Sequence, residues 1–367
     1  MESTVTNKKT PLFRVVKRGR GEVLPVHKSV LVRAVAVILS LIVAGIVITL
    51  LANKNPIEAY GIMFERVFSS SNRFWEFMQN LAMLLCISLA VTPAFKMKFW
   101  NIGAEGQVLV GGLATYASMM YFGDSLPTPL LILVMVVTSI LAGMIWAVIP
   151  AIFKAKWGTN ETLFTLMMNY VATQLVAFFM KVYINPGSTT LATLEEFGLP
   201  VIFGNNYLLN VLIVAVITVV AFIYLKYSKH GYEISVVGES EKTAKYIGIN
   251  VKKVIIRTLL VSGAICGIAG LLLVGGKDHT LRTDTVGGLG FTAIMVSWLA
   301  KFNPAFMVLT SFLIVFLEMG TQHIADTFQI SNSISDLITG IILFFIIGCE
   351  FFLTYKIVKT KNRKESN

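Results

Sequence analysis

Charge is scarce in this chain: Asp, Glu, Lys and Arg make up 14% of its 367 residues, while 55% are hydrophobic and the mean hydropathy is +0.74. Soluble domains carry roughly a quarter charged residues, so a water-soluble globular protein is excluded. Cysteine and histidine are scarcer still. Cys86, Cys266 and Cys349 stand apart inside apolar runs, which excludes a disulfide framework and paired metal-ligand spacings and reads as packing. His27, His230, His279 and His323 are scattered, with no paired-histidine zinc motif on any helix. No Ser sits in a nucleophile-elbow pattern. The nearest approach to a phosphate-binding loop, 270–278, fails because Leu271 stands where glycine is required and Asp278 where Ser or Thr is. The expectation is therefore no catalytic residue, no metal ligand and no directly bound cofactor.

What the chain has in abundance is apolar runs. Crossing about 30 Å of hydrocarbon takes roughly 20 residues of helix, and ten candidate spans emerge: 31–52, 76–95, 106–122, 128–152, 162–181, 207–226, 257–275, 286–300, 304–322 and 334–355. The first is too long for a signal-peptide core and no small-residue cleavage site follows it, so it reads as an uncleaved span. The formal charge of +11 has an uneven placement. With the N-terminus inside, only Lys54, Arg66, Arg73, Lys181, Lys277 and Arg282 of the 31 basic residues fall on the opposite side. Positive charge collects on the cytoplasmic side, so both termini are expected there. The basic tails then fit contact with anionic lipid, and nucleic acid is not needed to explain the charge.

The expected fold is thus an all-α polytopic membrane protein of about ten transmembrane helices with one broken or re-entrant segment. A basic segment, 1–30, precedes the membrane domain at 31–355, and a basic tail follows at 356–367. Two long polar stretches interrupt the spans, on opposite sides. The first, 182–207, contains Pro186, Gly187, Glu195, Glu196 and Pro200 and reads as a solvated outer loop, with docking of an extracytoplasmic protein as the alternative. The second, within a cytoplasmic loop assigned to 227–256, holds a short bounded helix at 240–249. Ser240 suits its N-cap, Glu241 its first turn, Lys245 its end and Gly248 a left-handed C-terminal position. Two turns are barely stable alone in water, so the helix rests either on the rest of this protein or on a partner that receives Ala244, Ile247 and Ile249.

Asn101-Ile102-Gly103-Ala104-Glu105-Gly106-Gln107 breaks the apolar pattern most sharply. A carboxylate at bilayer depth costs at least about 2.5 kcal/mol on insertion scales, so it faces a protein interior or wet cavity. Glycine-flanked polar groups there indicate a broken helix beside a solute path. Asn160, Glu161 and Asn169 add to a set dominated by amides and hydroxyls, which suits a neutral polyol solute better than a proton or sodium pump. Helix-to-helix hydrogen bonding explains Asn169 taken singly. Phe99 and Trp100 could stack on a base or sugar, and interfacial anchoring explains them equally. A glycine-and-charge interruption at 275–290 is a loose counterpart of the first, without convincing alignment.

Phe99-Trp100-Asn101-Ile102-Gly103-Ala104-Glu105-Gly106-Gln107 resembles the signature of permease subunits of bacterial ABC importers for nucleosides and simple sugars, in the branched-chain amino acid and ribose permease family. Gly158-Thr159-Asn160-Glu161 with Thr165 through Tyr170, the run Ala244 to Asn250, and Gly288 to Ile294 through Asn303-Pro304 are similar to further family segments and extend the resemblance over spans two to nine. Trp100, Thr162, Met295 and Lys301 depart from the family's usual residues. The resemblance implies a non-catalytic subunit in a bacterial cytoplasmic membrane, paired with a second permease in a homo- or heterodimer. Its partners would be a separate cytoplasmic ATPase that uses the ATP and an extracytoplasmic solute-binding protein. Phe99, Trp100, Asn101, Glu105, Gln107, Asn160, Glu161 and Asn169 become substrate-path candidates. Glu241, Ala244, Lys245, Ile247, Gly248 and Ile249 become ATPase-coupling candidates. Nucleosides are the leading solute, ribose or another simple sugar the alternative. An ion-coupled secondary transporter is the reading from a different class.

Overall fold

The computed structural model describes residues 13–17, 25–184 and 187–359. Most of the basic segment at 1–30, Pro186 of the outer loop and residues 360–367 of the tail lie outside the described residues. In chain order the elements are β1 (Phe13–Lys17), α1 (Val26–Val47) with a π-helical extension Ile48–Ala52, α2 (Pro56–Phe68), α3 (Ser71–Lys96), α4 (Ala104–Phe122), α5 (Thr128–Trp157), α6 (Glu161–Tyr183) and α7 (Leu208–Tyr227). There follow α8 (Lys229–Glu239), α9 (Glu241–Tyr246), α10 (Val251–Leu273) with a π-helical extension Val274–Asp278, α11 (Leu289–Leu299), α12 (Pro304–Phe328), α13 (Asn332–Thr354) and β2 (Tyr355–Lys359).

Eight of these helices are long and apolar enough to cross a membrane. That number is smaller than the ten spans expected, for two different reasons. Helix α4 has the length, but its glycines, Glu105 and Gln107 lower its hydropathy, which it tolerates because it is mostly enclosed by protein. Helix α11 has only 11 residues. At 1.5 Å per residue it reaches about 16 Å, half of a hydrocarbon core, so the span expected at 286–300 is a half-helix preceded by the irregular segment 279–288.

The chain forms two compact units, one of residues Val67–Phe316 and one of the remainder. In the larger unit α3 and α10 are central: 89% of the apolar stretch of α3 is buried, against 22% in each of α5, α6 and α7, whose outer faces remain for lipid. Backbones meet closely here because the contact residues are glycines. A Cβ added at Gly143 would lie 2.2 Å from the Gly263 carbonyl oxygen, and one at Gly267 would lie 2.2 Å from that of Ser139. Small residues spaced four apart, as Gly263 and Gly267 are, permit this approach in lipid, where dispersion contacts rather than water exclusion drive association.

The smaller unit packs α1 antiparallel to α13, with Arg33 Nη2 2.6 Å from Glu350 Oε1. Beyond these helices β1 and β2 pair antiparallel, with Phe13 opposite Lys359 and Lys17 opposite Tyr355. This ribbon departs from an all-α expectation. Because β1 precedes α1 and β2 follows α13, these two strands lie at the same end of the helix pair.

Gly267→Ala is expected to destabilise the protein by about 1–3 kcal/mol or more through overpacking. Gly340→Ala, where a Cβ meets nothing within 4 Å, should be neutral. Residual monodisperse protein on size exclusion after graded heating in detergent measures both.

Candidate functional site

The interruption between α3 and α4 is built from side chains that stand in for missing helix partners. Asn101 is fully buried, and its Oδ1 accepts from the Gly103 amide at 3.1 Å and from Gln107 Nε2 at 3.2 Å. Its Nδ2 donates to Ser262 Oγ on α10 at 3.4 Å. Asn169 on α6 does the same from the opposite side: Oδ1 accepts from the Gly106 amide and Nδ2 donates to the Ile102 carbonyl, both at 2.9 Å. Thr165 Oγ1 accepts from the Ile102 amide at 3.2 Å. Unpaired backbone groups in hydrocarbon cost several kcal/mol each by order of magnitude, and these amides remove that cost. Gly106 is required by the closeness of the arrangement, since a Cβ there would lie 2.9 Å from Asn169 Oδ1.

Glu105 makes the second half of the site. Its Oε1 accepts from the Gly288 amide at 2.8 Å and its Oε2 from the Gly290 amide at 2.7 Å. The carboxylate therefore caps the N-terminus of α11, where the helix dipole favours negative charge and charge-assisted bonds are strong. Gly287 and Gly288, with φ of 61° and 81°, supply the left-handed turn that presents these amides. The two interruptions, which do not align as sequences, meet in space through this one side chain.

The other path candidates are distributed unevenly. Phe99 is buried in a core cluster with Ala94, Ala151, Ile234, Ala244 and Leu259. Gln107 is buried, and its Oε1 finds no hydrogen-bond partner. Asn160 caps α6 by accepting from the Leu163 amide at 3.2 Å, and Glu161 pairs with Lys154 at 2.7 Å. These two belong to the α5–α6 turn and not to the interruption. Trp100 is 44% exposed and its ring lies 5.4 Å from that of Trp298, itself 49% exposed. Trp298 was not among the expected residues, because nothing in the sequence of α11 ties it to a motif 198 positions earlier. The pair forms an open aromatic surface beside the buried amides.

The short helix α9 has the caps expected of it. Ser240 Oγ accepts from the Thr243 amide at 3.2 Å, and Gly248 adopts φ 85°. Ala244 is buried, whereas Glu241, Lys245, Ile247 and Gly248 are exposed and Ile249 is half-buried. Tyr246, at 92% exposed the most open aromatic of this segment, belongs with them. The preceding α8 was hidden inside a polar stretch. Ser228 caps it by accepting from the Gly231 amide at 3.0 Å, and Glu233 pairs with Arg257 of α10 at 2.7 Å. The Arg257 guanidinium holds the Glu233 carboxyl below its ordinary range. The stretch 182–207 is less solvated than expected: the Leu194 and Leu199 amides donate to the His279 and Gly275 carbonyls at 2.8 and 2.7 Å. Among the described residues no group of His, Cys, Asp or Glu is placed to hold a metal ion.

Residues 74–347 match the family described as branched-chain amino acid transport system, permease component. Similar curated proteins include the glucose ABC transporter permease protein TsgB13 of Haloferax volcanii, 29% identical over 88% of this chain and 88% of the relative. The guanosine ABC transporter permease protein NupP of Bacillus subtilis is 26% identical over 86% of this chain and 92% of its own. The nucleoside ABC transporter permease protein NupB of Lactococcus lactis is 27% identical over 92% and 96%.

Glu105→Ala is expected to destabilise the protein by about 3 kcal/mol, because it strands the Gly288 and Gly290 amides that shared a charged acceptor. Asn169→Ala should cost about 1–3 kcal/mol for the same kind of reason. Thermal midpoints of the purified variants measure both, and an unchanged midpoint for Glu105→Ala would remove the capping role.

Proposed function

The chain belongs to the branched-chain amino acid transport system permease family, and on that premise we propose that it is the membrane subunit of an ATP-driven importer that translocates nucleosides. The observation that carries the solute class is the open Trp100–Trp298 surface beside the buried amides of Asn101 and Asn169. A nucleobase stacks on aromatic faces with about 1–3 kcal/mol per base, and the neighbouring Asn101 and Asn169 are neutral amides, while the Glu105 carboxylate is committed to α11. Two of the relatives above are permeases for guanosine or nucleosides and one is for glucose. A simple sugar is therefore the second reading, favoured if the aromatic surface proves unnecessary.

The chain carries no phosphate-binding loop, so ATP is hydrolysed on a separate cytoplasmic subunit. The surface for that subunit is α9, with Tyr246, Ile247 and Gly248 outward. Ala244, on the inner side of α9, shares a core cluster with Phe99 and Ile234. Packed cores shift between discrete arrangements rather than deforming continuously, so movement of α9 against the ATPase is passed to the segment next to the interruption. The paired termini and the positive-inside distribution support both ends being cytoplasmic. A second permease copy or homologue and an extracytoplasmic solute-binding protein complete the assembly.

In proteoliposomes holding this chain, its paired permease and ATPase, with binding protein outside and ATP within, labelled adenosine or uridine should accumulate and ribose should compete poorly. Trp100→Ala with Trp298→Ala should raise the half-saturating nucleoside concentration about tenfold while leaving ATPase association intact. Accumulation of ribose alone would move the assignment to sugar import. Ile247→Asp, at an exposed position, should lower solute-stimulated ATP hydrolysis without loss of folded permease; unchanged coupling would remove α9 as the docking element.

A further inference from the structure

Phe203 combines two features that a folded chain ordinarily avoids. Its backbone is left-handed, with φ 51°, and its ring is 96% exposed. A Cβ crowds the following carbonyl oxygen in that conformation, and the tolerated exceptions are mainly Asn and Asp, whose short polar groups bond locally. The position is nevertheless well defined. The Asn205 amide donates to the Ile202 carbonyl at 3.0 Å, and with Gly204 at φ 70° the two central residues make a primed turn, the class in which Asn-Gly is the favoured pair. The Asn205 side chain accepts from the Tyr207 and Leu208 amides at 2.8 and 3.1 Å, which fastens the turn to the start of α7. Asparagine at 203 would relieve both the strain and the apolar exposure, so folding does not account for the phenylalanine.

The stretch that carries the turn is held against the end of α10. Besides the Leu194 and Leu199 amides on the His279 and Gly275 carbonyls, Thr280 Oγ1 donates to the Leu191 carbonyl at 3.2 Å. Gly198 packs so closely that an added Cβ would lie 2.4 Å from His279 Cε1. Phe203 is thus an apolar ring on a fixed support. A fluid bilayer accepts an aromatic ring in any orientation, whereas a protein pocket selects one, and a ring presented already oriented loses less entropy on association. Between 187 and 206 the chain has Glu195 and Glu196, both exposed, and no Lys or Arg, which repels anionic lipid and favours a basic partner. With α9 facing the cytoplasm, as proposed above, the single crossing by α7 puts the turn on the opposite side of the membrane. We propose that the Phe203 turn anchors the extracytoplasmic solute-binding protein, its ring entering an apolar pocket rimmed by basic residues. This rests on the importer reading and adds the residue on which that docking depends.

The test uses the complete complex in nanodiscs, this chain with its paired permease and ATPase, and reads the affinity of the adenosine-loaded binding protein by surface plasmon resonance. Phe203→Asn should weaken binding about 30-fold and raise the thermal midpoint of the permease, while Phe203→Tyr keeps binding. A lowered midpoint with unchanged affinity would make the phenylalanine structural and overturn the proposal. Glu195→Gln with Glu196→Gln should slow association and flatten its dependence on salt. Unchanged affinity in Phe203→Asn, with the native complex still binding, would sink the docking role and leave the importer reading standing; no binding by the native complex would remove both. Phe203→Trp separates the other occupants, since the binding protein should shield its indole from acrylamide. Quenching by brominated lipid before the binding protein is added would make the turn a membrane anchor, and a disulfide between Phe203→Cys copies would make it a contact between permeases; either result overturns the proposal.

Discussion

A helix that breaks inside a bilayer exposes amide and carbonyl groups to a solvent that cannot bond them, and the larger unit of this protein is organised around removing that cost. Asn101, Asn169 and Thr165 act as detached pieces of backbone, each offering a donor or acceptor where the chain leaves helical geometry. Glu105 closes the remaining gap by taking two amides of α11. A neutral amide could accept at one oxygen only. The carboxylate accepts at both, and its charge is matched by the helix dipole instead of by a cation. One side chain thereby makes two breaks, 97–103 and 279–288, into a single joint.

This joint explains why ionisable and amide groups at bilayer depth are not by themselves evidence of a solute contact. Most are consumed in holding the irregular backbone. The surface that the joint leaves open is aromatic: Trp100 and Trp298. On the other side of the break Phe99 is buried with Ile234 of α8 and Ala244 of α9. The interruption and the outward-facing α9 are thus connected through close-packed side chains rather than through a flexible loop. Low compressibility of such packing is what lets a small displacement at one end be felt at the other.

Much of the architecture was legible because a bilayer imposes a simple rule on sequence, roughly 20 apolar residues per crossing. The caps of α9 were equally legible, since Ser240 and Gly248 act on their immediate neighbours. The rule misled at 286–300, where apolar composition indicated a span and the segment is a half-helix, because hydropathy counts residues and does not see the glycine turn that delays the helix. Helix α8 was obscured because its buried side faces protein at the membrane surface, so its composition is mixed. The glycines at 263 and 267 carried a readable spacing for close helix packing, which their position inside an otherwise apolar run made easy to pass over.

The sequence by itself determined that this is a multi-pass membrane protein, where its chain is interrupted, and which short helix is bounded at the surface. These are properties of local composition and of groups within a few residues of one another. Only the tertiary structure decided what Glu105, Asn101 and Asn169 do, that Trp298 joins Trp100, and that Phe13–Lys17 pairs with Tyr355–Lys359 in a ribbon. Each of those depends on partners as many as 346 positions apart, and hydrogen-bond acceptors take whichever donor the fold brings within about 3 Å. No spacing along the chain encodes that choice; the packing of α3, α4, α6, α10 and α11 makes it.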